Sequence, residues 1–104
     1  MRLAPQALSA LLGTADATLI NVHVPYDGEI DGTDLFIRFD QIAGRTADLP
    51  AKNQPIILYC RTGRMSAIAA ETLVGLGYTN VTELAGGMEA WTASGLPLQS
   101  RPPG

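Results

Sequence analysis

The chain carries one cysteine, Cys60, in the stretch "IILYCRTGRMSAIAAETL". An apolar run precedes it, and Arg61, Thr62, Gly63, Arg64, Met65 and Ser66 follow. These residue types in this order suit a cysteine nucleophile. Gly63 permits a tight path and a close backbone approach. Such a loop can turn several backbone N–H groups inward as an anion cradle. A helix starting just beyond it adds unpaired amides and partial positive charge. Arg61 and Arg64 add formal charge. Each of these favours the thiolate, which is the attacking form. A helix terminus contributes about 0.3–1 kcal/mol when exposed and up to ~2 kcal/mol when partly buried. The combined cradle is therefore expected to raise the thiolate from a minor to a major form near neutrality. The competing expectation is that a free cysteine packs as a small hydrophobe. Two arginines and a glycine are odd neighbours for such a core thiol, although either arginine alone could be a solvated surface charge.

Other residues invite a chemical role, each with a plainer alternative. His23 is the single histidine; it is either a base near the pocket or, more simply, a hydrogen-bonded rim residue. Asp27, Glu29, Asp31 and Asp34 form an acidic loop, read as solvated rather than as a selective rim or partner surface. Ser66 could cap the following helix or donate into the cradle. Met88 and Trp91 share helical spacing, which points to core packing or a pocket wall. Gly86 and Gly87 mark a turn; without a following Lys-Ser/Thr they form no phosphate loop.

The elements that must position these residues follow from pattern. Pro5 and Gly13 bracket an amphipathic first helix, Pro5 to Leu12. The segment from Thr18 to Val24 is β-branched and apolar, hence a strand. A loop with Pro25, Gly28 and Gly32 follows, then a short strand from Leu35 to Phe39. Asp40 is the expected N-cap of a weak helix. "IILYC" is apolar throughout, as in a parallel strand buried on both faces. The next helix places Ala67, Ile68, Leu73 and Val74 at helical spacing and ends at Gly75 or Gly77. "NVTELAG" reads as a strand and "GMEAWTASG" as a short final helix closed by Gly95 and Pro97. Strands alternating with helices predict an α/β domain, its mainly parallel central sheet flanked by helices on both faces. In such sheets ligands gather at the carboxyl ends of the strands, which is where Cys60 stands.

Bulk properties narrow the classes. The chain has 104 residues, the size of one domain. No repeat or linker divides it, so residues 1–104 are expected to form a single domain, with 99–104 a frayed tail. A chain of this length buries roughly two-thirds of its unfolded surface, enough for a core without staples. The apolar fraction is 46% and the charged fraction 16%, as in soluble globular proteins. The net charge of −3 argues against nucleic-acid or membrane partners. No apolar run approaches the ~20 residues of a bilayer span. One cysteine excludes an internal disulfide and a Cys-rich metal site. A lone thiol fits the cytoplasm, or the periplasm if a precursor signal has been removed. The first residues, "MRLAPQALSALLGTADA", mimic a short signal peptide. Pro5, Gln6 and Ser9 interrupt its apolar run, however, and Leu8, Leu11 and Leu12 keep helical spacing.

The loop "YCRTGRMSA" resembles the active-site segment of rhodanese-like sulfurtransferase domains, in which a cysteine opens a six-residue loop. A second segment, "LGYTNVTELAGGMEAWTASGLPL" from Leu76 to Leu98, resembles that family's C-terminal signature. The first half is less similar: Asn21, Val22 and His23 stand where most members have an Asp-Val-Arg element. "GEIDGTDLF" replaces a Gly-His-Ile-Pro-Gly segment, and Met65 holds the sixth loop position, where many members carry Arg or a small polar residue. The resemblance implies a sulfurtransferase with Cys60 catalytic and needing no cofactor or metal. Cys60 would take sulfur from a small anionic donor such as thiosulfate and pass it, as a persulfide, to cyanide, a thiol or a protein acceptor. The loop from Arg61 through Thr62, Gly63, Arg64 and Met65 to Ser66 would bind the substrate. Related cysteine phosphatases and arsenate reductases carry a loop one residue longer that ends in Arg. Here Ser66 follows Met65, which favours sulfur over phosphate. A non-enzymatic sulfur carrier or docking module is the remaining alternative. With no second cysteine, a self-contained disulfide reductase is disfavoured.

Overall fold

The computed structural model describes residues 1–14 and 16–100. Five strands form one sheet: β1 (Arg2–Leu3), β2 (Thr18–Asn21), β3 (Leu35–Phe36), β4 (Ile56–Tyr59) and β5 (Val81–Leu84). They lie in the order β1-β5-β4-β2-β3, and every pairing is parallel. Between them run the helices α1 (Pro5–Leu12), α2 (Arg64–Gly75) and α3 (Gly87–Ala93), with a 3₁₀ stretch from Ile42 to Asp48. The fold is the expected α/β sheet with helices on both faces.

The centre of the sheet is β4, whose four residues are at most 1% exposed. Fully burying an Ile or Leu side chain contributes roughly 1.5–3 kcal/mol, so β4 anchors the sheet. Side chains alternate across a strand, and β4 thereby divides its contribution between two cores. Ile56, Leu58 and Cys60 face one core with Ile20, Ile42, Ala69 and Leu73. Ile57 and Tyr59 face the other with Leu8, Leu19, Met88 and Trp91. Thus α2 and the 3₁₀ stretch cover one face, and α1 and α3 the other. Met88 and Trp91 are core residues, 3% and 4% exposed.

Some expected boundaries shift. The strand from Thr18 ends as regular structure at Asn21, although Val22 N–H still donates to the Tyr59 carbonyl at 2.9 Å. Regular pairing of β3 stops at Phe36 rather than Phe39. Asp40 caps nothing: its carboxylate receives Arg38 Nε at 3.0 Å and a second guanidinium N–H at 3.1 Å. The nearby guanidinium outcompetes distant amides, and the 3₁₀ stretch begins after Gln41 with no side-chain cap.

Helix α2 turns a different face inward than its apolar residues suggest. Ser66, Ala69, Ala70 and Leu73 are buried, whereas Ile68 is 42% and Val74 61% exposed. Small residues line the buried stripe because the helix lies close over the sheet and Cys60. Its end is a doubly bonded turn: Tyr78 N–H donates to the Leu73 carbonyl and Gly77 N–H to that of Val74, both at 3.0 Å. Gln99 is paired with Glu29 through two backbone hydrogen bonds of 2.7 Å. The remainder of the expected frayed tail, residues 101–104, lies outside the described residues. No helix among the described residues is long and apolar enough to cross a membrane.

Candidate active site

Cys60 follows the last residue of β4 and is 1% exposed. It is a member of the apolar core beneath α2, but its sulfur is not in a purely hydrocarbon setting. Gly63 N–H donates to Sγ at 3.0 Å and Ser66 N–H at 3.4 Å. Gly63 stands at the N-cap of α2 with φ +105°, a left-handed conformation that costs other residues energy. That turn folds the chain back over the sulfur and aims the Gly63 amide at it. Ser66, in the first turn of α2, brings its own amide and its hydroxyl, with Oγ 3.6 Å from Sγ. Of the six amides from Arg61 to Ser66, these two reach the sulfur.

The loop is pinned from the far side by α3. Met88 N–H donates to the Cys60 carbonyl at 2.8 Å, and Glu89 N–H to the Arg61 carbonyl at 2.9 Å. Gly87 makes this docking sterically feasible. With φ +62°, it sits so close that a Cβ there would lie 2.5 Å from the carbonyl oxygens of Cys60 and Arg61. Sequence reasoning took Gly87 only for a turn residue. Its role as the contact between two elements 27 positions apart is visible only once they meet.

The arginines differ in setting. Arg61 reaches Asp27 Oδ2 at 3.4 Å and Glu89 Oε2 at 3.3 Å, so its charge is shared with two carboxylates on the rim. Arg64 is exposed and makes no ion pair within 4 Å among the described residues. Thr62, Gly63 and Arg64 border a cleft of about 460 Å³ that Arg2 and Glu83 also line. Met65 is half-buried against the core that holds Cys60.

His23 is 8% exposed. Burial lowers its pKa below the ordinary 6.5, with Arg61 adding to the fall and Asp27 opposing it. Its backbone N–H donates to Asn21 Oδ1 at 3.0 Å, and among the described residues its ring makes no hydrogen bond to Cys60. Asn21 also donates from Nδ2 to the Gly28 carbonyl at 3.0 Å. A carboxylate could not supply that donor, which gives a physical reason for Asn rather than Asp here. The acidic loop is not uniformly solvated. Asp34 Oδ2 accepts the Leu19 amide at 2.8 Å, Glu29 accepts the Tyr26 hydroxyl at 2.6 Å, and Asp27 engages Arg61. Asp31 is exposed.

Comparison with known proteins identifies the family of this fold. The family model described as "Rhodanese-like domain" matches residues 5–94. The chain is 33% identical to a protein of Allochromatium vinosum named "Sulfurtransferase" over 91 residues, covering 85% of this chain and 83% of that one. It is also 33% identical, over 67% of its own length, to "Adenylyltransferase and sulfurtransferase UBA4" of Candida albicans, of which it spans only 16%. The solution structure of the rhodanese-like domain of the Alr3790 protein from an Anabaena species superposes with a TM-score of 0.84. That match has 25% identity and covers 96% of this chain and 79% of that one. The chain belongs to the rhodanese-like domain family.

Proposed function

We propose that this chain is a sulfurtransferase domain in which Cys60 carries sulfane sulfur as a persulfide. The ionised thiol attacks the outer sulfur of a small anionic donor such as thiosulfate. The donor's S–S bond breaks, and sulfite leaves with the bonding electrons. A thiophile then attacks the terminal sulfur of the persulfide and restores the thiolate, completing a two-step covalent cycle. The acceptor is cyanide in an assay and a thiol or a protein thiol in the cell.

One observation carries this reading: the Gly63 and Ser66 amides converge on Sγ at 3.0 and 3.4 Å at the carboxyl end of the central strand. Donors placed there can hold the charge of a thiolate and, after transfer, of a terminal sulfur. The loop from Cys60 to Met65 has the six-residue length that the resemblance associates with sulfur transfer, whereas the related phosphatases carry a longer, Arg-ended loop. Arg64, with no ion pair among the described residues, supplies positive charge at the rim. Sulfurtransferase relatives of modest identity support the reaction class.

Incubation with thiosulfate, without reducing agent, is expected to add the mass of one sulfur to the protein, and Cys60→Ser to abolish the gain. An unchanged wild-type mass with every sulfur donor tried would remove the proposal. The 1% exposure of Cys60 favours a second reading, a sulfur carrier loaded and emptied by partners. Persulfide formation with negligible turnover to cyanide, but transfer to a specific protein, would select it.

A further inference from the structure

Among the described residues Cys60 contacts one side-chain polar atom, the Ser66 hydroxyl, and that hydroxyl is contested. It has one proton and three acceptors within reach. Gly63 O lies at 3.2 Å, Glu83 Oε1 at 3.3 Å and Cys60 Sγ at 3.6 Å. Glu83 belongs to β5, the strand beside β4, and its side chain is 13% exposed. Arg2 is 3.8 Å from the other carboxylate oxygen but is itself 65% exposed, so water weakens that pairing. The other charged groups on elements packed about the loop are Arg61, tied to Asp27 and Glu89, Arg64 on the loop itself and the exposed Glu71 on α2, while the titratable His23 lies beyond β2. Glu83 is the one whose carboxylate touches Ser66.

We propose that Glu83 is a positioning residue for Cys60: its carboxylate draws the Ser66 hydroxyl away from Sγ and holds the resting sulfur as a thiol. This rests on Cys60 being the nucleophile. A carboxylate is a stronger acceptor than a thiol sulfur or a peptide carbonyl. With the hydroxyl proton turned to Glu83 or Gly63, Ser66 offers Sγ only lone pairs, and the thiol donates to Oγ. Ionising Cys60 requires the hydroxyl to swing to Sγ, leaving two negative charges facing each other across Ser66, and like charges at that range disfavour the ionised form. The Gly63 and Ser66 amides pull toward the thiolate while Glu83 pulls against them.

The test is a pH titration of the thiolate's ultraviolet absorbance, each trace taken as the difference from Cys60→Ser. It reads ionisation whether or not the protein transfers sulfur, so it stands apart from the thiosulfate mass test. Glu83→Gln and Glu83→Ala are both expected to move the midpoint down by about one pH unit, a roughly tenfold rise in the thiolate-to-thiol ratio. In a Ser66→Ala background the same Glu83→Gln change is expected to move it by less than half as much, the non-additivity of residues acting through a shared contact. An unmoved midpoint in both single Glu83 variants overturns the proposal. So does a shift that is undiminished when Ser66 is Ala.

Discussion

The first residue of α3, Gly87, lies directly against Cys60: no side-chain atom fits between its Cα and the Cys60 carbonyl. Gly87→Ala is therefore expected to act as a site mutation although the residue has no chemistry. The Cβ would meet two peptide carbonyls at 2.5 Å with φ at +62°, and backbone cannot yield as a flexible side chain can. The expected cost is at least about 2 kcal/mol, read as a fall in the urea midpoint at unchanged slope. Persulfide formation should fall further than the loss of folded protein accounts for, because the loop that aims Gly63 N–H is displaced. Retention of wild-type stability would contradict the close approach.

The two loop arginines should separate in kinetics. Arg61 already faces Asp27 and Glu89, so removing it subtracts little net attraction for an anion; Arg64 has no such partner among the described residues. Arg64→Ala is expected to raise KM for thiosulfate about threefold or more, and Arg61→Ala less than twofold, with the Arg64 effect shrinking at high salt. Both should leave stability within about 0.5 kcal/mol, as is usual for substitutions of exposed side chains. The reverse ranking in KM would place donor recognition at Arg61.

Tyr59 offers a stability test at the opposite face of β4. Its hydroxyl accepts the Ile30 amide at 3.0 Å and lies 2.7 Å from Thr33 Oγ1. Tyr59→Phe leaves the buried Ile30 N–H without that acceptor, at a cost of about 1–3 kcal/mol. Burial also pushes the Tyr59 pKa up from 10.0 to about 12. The unfolded chain then loses this proton at lower pH than the folded one, so stability falls as pH rises from about 10 to 12. The Phe variant should lack this component of the alkaline slope. An identical slope in both proteins would show that Tyr59 does not couple to folding.

His23 gives the acid counterpart. Burial holds its folded pKa below 6.5, so the unfolded chain takes up the proton first as pH falls. Stability contributed by neutral His23 is complete above pH 6.5 and declines below it. His23→Asn is expected to flatten the pH dependence of the urea midpoint between neutrality and the folded pKa. A parallel curve for wild type and variant would count against the burial effect.

Much of the fold was legible in the sequence because its signals are local and strong. "IILY" is almost fully apolar and bounded by Pro55, which reads as a strand covered on both faces. Pro5, Gly77 and Pro97 punctuate the chain where its elements change. What escaped were features set by partners distant in the chain. Arg2 and Leu3 are too short a run to show alternation, and they pair only because β5 presents an open edge. The exposure of Ile68 and Val74 follows from how close α2 lies to the sheet, which helical spacing alone does not encode. At the site, Cys60, Gly63 and Ser66 were visible as a loop. Glu83 and Gly87 were not, since each matters through one contact with that loop from another element. Asp40 failed as a cap because Arg38, two residues away, took its carboxylate first.

The hydrogen bonds from Met88 and Glu89 to the Cys60 and Arg61 carbonyls have a consequence for biosynthesis. As the chain emerges from the ribosome, its thiol is exposed well before the segment that clamps its loop exists. Until about 30 more residues have followed, a gap measured from residue 60 to residue 89, the two hydrogen bonds that clamp the Cys60 loop from α3 cannot form. The nascent protein thus passes through an interval in which its one thiol is open to oxidants, and docking of the last helix closes that interval.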